Sequence, residues 1–115
     1  MANKRLTTLK VARDFENLKK FGKKIFPAKW ILIVVLENDL KLNRFGWTIS
    51  KKIGPAVLRN KYKRWCREFF RKNTDFSKFY DINVIFRPQT NNKFYKELKH
   101  ETFCEVMEMS FKHYK

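Results

Sequence analysis

The longest apolar run in this sequence, WILIVVL at residues 30–36, constrains the fold more than any other feature. A run of this length that is rich in β-branched residues is typical of a β-strand. It shows no alternation of apolar and polar residues, so it predicts a strand that is buried on both faces. A membrane span would need about 20 apolar residues. The chain must therefore supply further strands beside this run and helices that cover them.

Two more segments have the pattern of strands. RFGWTISK, residues 44–51, places its large apolar side chains on one face and Gly46, Thr48 and Ser50 on the other. DINVIFR, residues 81–87, predicts a third strand that ends before a proline. The small residues on one face of the second strand leave room for an extended molecule to approach it.

Helices are predicted in three places. Val11, Phe15 and Leu18 form one helical stripe, and a glycine follows as a stop. A second helix is predicted at residues 55–72, where a proline suits the first turn, and one long helix from about residue 92. The order α-β-β-α-β-α predicts an α+β fold, a single domain over residues 1–115 with a small mixed sheet of about four strands and three helices.

The second helix separates its charges from its apolar residues. At about 100° per residue, one apolar arc is formed by Leu58, Tyr62, Trp65, Cys66 and Phe69, which Arg59 borders. The opposite arc is formed by Asn60, Lys63, Arg64, Arg67 and Arg71. These cations repel one another at helical spacings. An external partner is therefore expected to supply the negative charge.

The whole chain carries the same signal. With 27 Lys and Arg against 11 Asp and Glu, its formal net charge is +16, which favours an anionic partner. Arginine binds phosphate through its planar fork, and the helix start after Gly54, beside Lys51 and Lys52, offers backbone N–H groups to an anion. Nucleic acid is the first candidate and an anionic membrane surface the second. A basic face that serves only solubility is the third.

The sequence does not predict an autonomous nuclease. His100 and Cys104 stand four residues apart in the last predicted helix, but a metal site needs further ligands at matching spacing. No nucleophile–base constellation or phosphate-binding glycine loop is evident. We expect both cysteines, Cys66 and Cys104, to be reduced core residues. The N-terminus lacks the apolar core of a signal peptide, so a cytoplasmic protein without a membrane anchor is expected.

At residues 50–68 the sequence SKKIGPAVLRNKYKRWCRE resembles the signature of the bacterial ribonuclease P protein family, in which a Lys-Lys-x-Gly turn leads into an Arg-Asn-Arg helix. RLTTLKVARDFENLKKFG and DINVIFRP resemble the first helix and the late strand of that family. The resemblance implies a fold like that of the second domain of ribosomal protein S5, with a left-handed β-α-β crossover. The sequence departs from the family pattern at Lys61, where arginine is common, and at Lys19 and Ile33, where aromatic residues occur.

The resemblance also implies a function. In that family the protein assists a catalytic RNA, which removes the 5′ leader of precursor tRNA with divalent metal, Mg²⁺, held by the RNA. The protein itself would bind no cofactor and would need no obligate protein partner. The residues carried over to contact with the RNA subunit are Lys51, Lys52, Arg59, Asn60, Lys61, Lys63, Arg64, Arg67 and Arg71.

A second surface is implied for the single-stranded leader, in a cleft between the sheet and the first helix. The residues carried over to it are Phe15, Ile33, Thr48 and Arg87. From the residues alone, a plain core position is favoured for Phe15, and only the resemblance favours the cleft. The alternative function is a structural RNA-binding protein of the ribosomal type.

Overall fold

The computed structural model describes residues 6–73 and 75–115. Its strands are β1 (Thr7–Thr8), β2 (Lys23–Ala28), β3 (Ile31–Glu37), β4 (Arg44–Thr48) and β5 (Tyr80–Phe86). Its α-helices are α1 (Ala12–Phe21), α2 (Ala56–Lys72), α3 (Phe94–Glu97) and α4 (His100–Phe111). Short 3₁₀ turns are present at Lys51–Ile53 and Lys112–Tyr114.

The five strands form one mixed sheet in the order β1-β4-β5-β3-β2. β3 is antiparallel to both β5 and β2, whereas β4 is parallel to β5 and β1 is parallel to β4. Because α2 connects the neighbouring parallel strands β4 and β5, the predicted β-α-β unit is present. The α+β class is confirmed, with five strands instead of about four. The left-handed crossover stays a prediction.

One face of the sheet carries the main core. Its side chains from β3, β4 and β5 pack beneath α2 and α4, and the fully buried members include Ile33, Phe45, Tyr62, Phe70 and Phe103. The rings of Phe45 and Phe70 stack with their centroids 4.3 Å apart, which joins the sheet to α2. The apolar arc predicted for the second helix is therefore the side that anchors it.

The other face of the sheet is only partly covered. Leu18 of α1 packs on Val34 of β3, and both are nearly inaccessible. α1 has only 10 residues, about 15 Å of helix at 1.5 Å per residue. It therefore leaves Leu32 and Ile85 only half-buried. In the run at residues 30–36, the side chains that face the main core are buried, as predicted. On the face toward α1, Val34 is buried as predicted, whereas Leu32 is only half-buried.

An ion-pair network fixes α1 to the sheet. The guanidinium of Arg44 donates from Nε and Nη2 to the two carboxylate oxygens of Asp81, at 2.8 and 2.6 Å. It also donates from Nη1 to Asp14 in α1, at 3.1 Å. Asp81 is 5% exposed, and Asn38 donates a further hydrogen bond to it. The paired carboxylates raise the pKa of Arg44, so its charge is secure.

The turn before α2 depends on a glycine. Gly54 has φ of +154°, which L side chains rarely adopt, and a Cβ there would lie 2.7 Å from a Leu58 methyl carbon. Pro55 follows with φ of −65° and precedes the first helical residue. The predicted helix at residues 55–72 is thus confirmed, with its start one residue later.

The sequence did not predict β1 or β2. β1 has two residues, which is too short for a periodic pattern. β2 contains Pro27, which argues against a central strand, and the structure places it at the sheet edge with an irregularity between Ile25 and Ala28. An edge strand tolerates the missing N–H of proline, since no partner strand needs it.

The single long helix predicted from about residue 92 is wrong. The helical conformation is interrupted at Leu98, whose ψ is 124°, and the segment forms α3 and α4 instead. Tyr95 of α3 is buried, and its hydroxyl donates to the carbonyl oxygens of Trp30 and Arg87. Its own carbonyl accepts from the Tyr62 hydroxyl. These tertiary bonds hold α3 against the end of the sheet, so the chain must turn before α4.

The two cysteines occupy different environments. Cys66 is fully buried in the main core, and burial raises the pKa of its thiol. Cys104 is only half-buried, so its predicted core position is only partly correct. Both thiols are free. Within the described residues, no helix has the length and apolar character needed to cross a bilayer.

Candidate nucleic-acid interface

The solvent face of α2 presents one cationic surface. Asn60, Arg64, Arg67 and Arg71 are exposed and Lys63 is half-buried along its edge. We call these five residues the basic face. They lie together because the buried side of the same helix is fixed in the core by Tyr62, Cys66, Phe69 and Phe70. The predicted segregation of charges is therefore realised.

No residue of the basic face forms an ion pair within the described part of the chain. Among residues 6–73 and 75–115, the ion pairs are Arg44–Asp14, Arg44–Asp81 and Lys78–Glu37. None of them includes a residue of α2. Unpaired cations at helical spacing repel one another, so this helix carries an electrostatic cost that a phosphate backbone would relieve.

One arginine of the basic face is held in place by an aromatic ring. The guanidinium carbon of Arg67 lies 5.6 Å from the ring centroid of Trp47 in β4. Such a cation–π contact at a partly exposed site contributes about 0.5–1 kcal/mol. It also restricts the long side chain before a ligand arrives. Arg67 is therefore better ordered for phosphate binding than a free surface arginine.

Lys61 lies away from the basic face. It is about 100° around the helix from the middle of that face, at about 100° per residue, and it is half-buried. Its ammonium lies 5.2 Å from the ring centroid of Tyr62 and 5.1 Å from that of Trp65. The structure thus gives Lys61 an aromatic partner on the α4 side. Because Lys61 contacts aromatic rings at this position, it does not need the planar guanidinium fork with which arginine recognises phosphate.

The entry to α2 adds a second set of donors. Lys51 and Lys52 are exposed on the 3₁₀ turn, and no side chain caps the helix start. The first backbone N–H groups of α2 are therefore available to an anion. Arg59 is partly committed elsewhere, since its Nε donates to the Gly54 carbonyl at 3.0 Å. It stabilises the turn that presents the two lysines.

The uncovered part of the sheet forms a cleft beside α1. Its volume is about 400 Å³, and it is lined by Phe15, Leu18, Lys19, Lys24, Leu32, Val34, Thr48, Asn83 and Ile85. The pairing of Thr48 with Ile85 and of Ile85 with Leu32 sets one row across the floor. A flat apolar floor beside two lysines suits a single-stranded nucleic acid.

The prediction that Ile33 lines this cleft is wrong. Ile33 is fully buried in the main core beneath α2 and α4. Because successive strand residues point to opposite faces, its neighbours Leu32 and Val34 face the cleft instead. The residue-by-residue resemblance did not reveal which face of β3 each position takes.

Phe15 lines the cleft and also packs on the sheet. It is half-buried, and a Cβ added at Gly46 would lie 2.9 Å from its ring carbon Cε1. Gly46 therefore allows the ring to lie against the backbone of β4. Phe15 thus packs against the cluster of Leu9, Leu18 and Val34 and also lines the cleft, and its contact with the leader stays a prediction.

Thr48 and Arg87 also reach this face of the sheet. Thr48 is exposed and accepts a hydrogen bond from Asn83 Nδ2 at 3.1 Å. Arg87 follows β5 and is exposed, and its guanidinium carbon lies 5.9 Å from the ring centroid of Phe26. Arg87 is not among the cleft-lining residues but stands beyond its end.

Sequence reasoning missed Asn83 and Lys24 and treated Lys19 only as a lost aromatic. Asn83 carried a signal, because it is a polar residue inside an otherwise apolar strand. Lys24 carried none, because its strand was not predicted. The lining of the cleft therefore includes two cations where the sequence indicated only weak stacking.

His100 and Cys104 are the pair that the sequence offered as potential metal ligands, although no metal or catalytic site was predicted. Cys104 Sγ lies 3.5 Å from His100 Nε2, so this pair is adjacent as predicted. Across the described ranges 6–73 and 75–115, no three or more His, Cys, Asp or Glu side chains are grouped to hold a metal ion.

The sheet, the basic face and the cleft define an RNA-binding protein of the α+β class. Residues 3–109 match the family model described as Ribonuclease P. The ribonuclease P protein component of Syntrophus aciditrophicus is 40% identical over 99 residues, which cover 85% of this chain and 82% of the relative. The chain belongs to the ribonuclease P protein family.

Solved structures agree with this assignment. The RNase P protein of Thermotoga maritima has a TM-score of 0.80 and 30% identity, covering 94% of this chain and 97% of that protein. The RNase P protein of Staphylococcus aureus has a TM-score of 0.79 and 28% identity, covering 95% of each chain. The predicted family, and the function of a ribonuclease P protein subunit in tRNA processing, are confirmed, and the ribosomal-type alternative is not supported.

Proposed function

We propose that this chain binds the RNA subunit of ribonuclease P through the basic face and the entry to α2. The observation that carries the proposal is the basic face itself, a row of cations that form no ion pair among the described residues, one of them held by Trp47. Lys51 and Lys52 extend the same surface beyond the helix start. Structured RNA supplies closely spaced phosphates that match such a row.

The cleft is proposed to hold the 5′ leader of precursor tRNA. Phe15, Leu32 and Ile85 offer flat apolar contacts to bases, while Lys19 and Lys24 follow the phosphates. Thr48 and Asn83 place polar groups on the floor. This combination binds a single strand with little sequence preference, since every base has a face that can stack.

In this proposal the chain positions RNA and the RNA subunit performs the cleavage. Mg²⁺ would be held by RNA phosphates, and the protein would help by neutralising charge where the two RNAs meet. Both RNAs are transcripts, so we place the complex in the cytoplasm. No further protein is required by this scheme.

Reconstitution tests the proposal. The protein is added to a bacterial ribonuclease P RNA at low magnesium, and cleavage of precursor tRNA is followed. We expect strong stimulation over the RNA alone, because the protein replaces part of the screening that magnesium provides. Absence of stimulation at every magnesium concentration would contradict the proposal.

Phe15→Leu tests the cleft separately. Leucine retains apolar packing on Gly46 but cannot stack on a base, so leader-bearing precursor tRNA should bind more weakly while mature tRNA binds as before. A loss equal for both RNAs would mean that Phe15 acts only in packing. Urea unfolding of the same variant measures any loss of stability.

A further inference from the structure

An exposed phenylalanine stands in the edge strand beyond the cleft. Phe26 of β2 is 59% exposed, although burying an aromatic ring is strongly favourable. Its known partner is Arg87, whose guanidinium carbon lies 5.9 Å from the ring centroid. Phe15 is the one aromatic residue among those that line the cleft itself. A second ring in water at the cleft's end therefore calls for a ligand.

We propose that Phe26 and Arg87 form a stacking platform for one further leader nucleotide, beyond those held in the cleft. The inference rests on the proposed function of the cleft and extends it to residues outside its lining. The base would stack on the Phe26 ring, and the Arg87 guanidinium would bind the adjoining phosphate. Such a platform would tolerate any base.

The strand pairing places Arg87 close to the cleft. Ile85 lines the cleft, and Arg87 is two residues further along the same chain. The Arg87 N–H donates to the Trp30 carbonyl, so the backbone pairing continues one residue past the end of β5. From there the Arg87 guanidinium reaches Phe26 of β2 across β3.

The spacing suits an extended RNA strand. Lys24 lines the cleft and pairs with Val34. Phe26 is two residues beyond Lys24, at most about 7 Å at 3.3 Å per residue because the strand is irregular between Ile25 and Ala28, and this is close to the span of one extended nucleotide. A leader that leaves the cleft along β2 would therefore meet the ring with its next base.

Charge decides between RNA and a protein as the occupant. The same ring borders a groove of about 610 Å³ between β2 and α4, which includes the exposed Met109. An apolar peptide would fit the groove by shape alone. Lys23 and Lys24 line the same groove and Arg87 lies over the ring, however, and the chain carries +16 overall. Continuity with the cleft and this charge favour the nucleic acid.

The experiment uses the reconstituted complex and precursor tRNAs whose leaders are lengthened one nucleotide at a time. With the wild-type protein, affinity should rise at the length where a base first reaches Phe26. Phe26→Ala should remove about tenfold of affinity at that length and beyond, the range expected for loss of one base–aromatic stack. Phe26→Trp should retain the rise in affinity at that leader length, because tryptophan can also stack on a base.

The matched control is Phe79→Ala. Phe79 is also exposed, at 44%, but it precedes β5 at the opposite end of that strand from Arg87. This variant should bind every leader as the wild type does. A 2-aminopurine base at the expected leader position should be quenched by the wild type and not by Phe26→Ala.

Two results would overturn the platform. One is a loss of affinity in Phe26→Ala that is the same for leaderless tRNA, and the other is an unchanged length profile. A length profile unchanged while an apolar peptide protects Phe26 would assign the ring to a protein partner. Failure of the wild type to bind the RNA subunit would instead refute the proposed function, so the two failures are distinguishable.

Discussion

The basic face makes a quantitative prediction about salt. If Arg64 and Arg67 each neutralise a phosphate, each contributes about 0.7–0.9 to the slope of log affinity against log salt concentration. Replacing both with alanine should therefore reduce the slope by about 1.4–1.8. Over a fourfold rise in salt, from about 50 to about 200 mM, the wild type should lose about tenfold more affinity than the variant.

The assay is equilibrium binding of the RNA subunit at several salt concentrations, with the variant's unfolding in urea as a check on its fold. Both arginines are exposed, so stability should change by less than about 1 kcal/mol. Lys61→Ala is the matched control, because its ammonium lies over Tyr62 and Trp65 and away from the basic face. Its slope should remain close to that of the wild type.

Trp47→Leu separates charge from orientation. It keeps every cation but removes the ring beneath Arg67, so affinity should fall by about two- to fivefold, as expected for about 0.5–1 kcal/mol, at an unchanged slope. An unchanged slope in the double arginine variant would remove the basic face from the interface. A slope lowered equally by Lys61→Ala would show that net charge alone matters, and the argument from geometry would be refuted.

Three further predictions concern the framework that holds the two surfaces. Arg44→Met leaves the Asp81 carboxylate buried without its cation and should lower the free energy of unfolding in urea by about 3 kcal/mol. Adding Asp81→Asn should recover part of this loss. A loss under about 1 kcal/mol in Arg44→Met would contradict the role of the network. Burial raises the pKa of Tyr62 to about 12, so the folded state retains the phenolic proton above the unfolded pKa of about 10. The free energy of unfolding should therefore fall as pH rises from about 10 to about 12. Unfolding of Tyr62→Phe measured over the same pH range should show a smaller fall. Gly46→Ala places a Cβ 2.9 Å from the Phe15 ring and should weaken leader-dependent binding without changing the salt slope for the RNA subunit; equal leader dependence in variant and wild type would show that the ring adapts freely.

Much of the fold is determined by local pattern. β3, β5 and α2 were predicted within one residue of their observed limits, β4 starts where predicted but ends at Thr48, and α1 ends just before the predicted stop at Gly22. Each of these segments has a residue pattern typical of its class, or a flanking glycine or proline. The basic face was predicted for the same reason, since helical geometry alone decides which side chains share a side. A helix that separates its charges needs no tertiary information to be recognised.

The tertiary structure decided what depends on contacts between distant segments. It assigned Ile33 to the core and Leu32 to the cleft, because the face of a strand is set by its register with β5 and β2. It divided the predicted last helix into α3 and α4, because the Tyr95 hydroxyl donates to the Trp30 and Arg87 carbonyl oxygens.

The same distinction between local pattern and tertiary contacts applies to the cationic residues. Sequence alone showed that this chain carries far more positive than negative charge and that one helix concentrates it. Only the fold showed that Arg67 is held by Trp47 while Lys61 turns away to Trp65. The physical reason is that charge is a property of the residue, whereas its direction is set by the neighbours that the fold brings beside it.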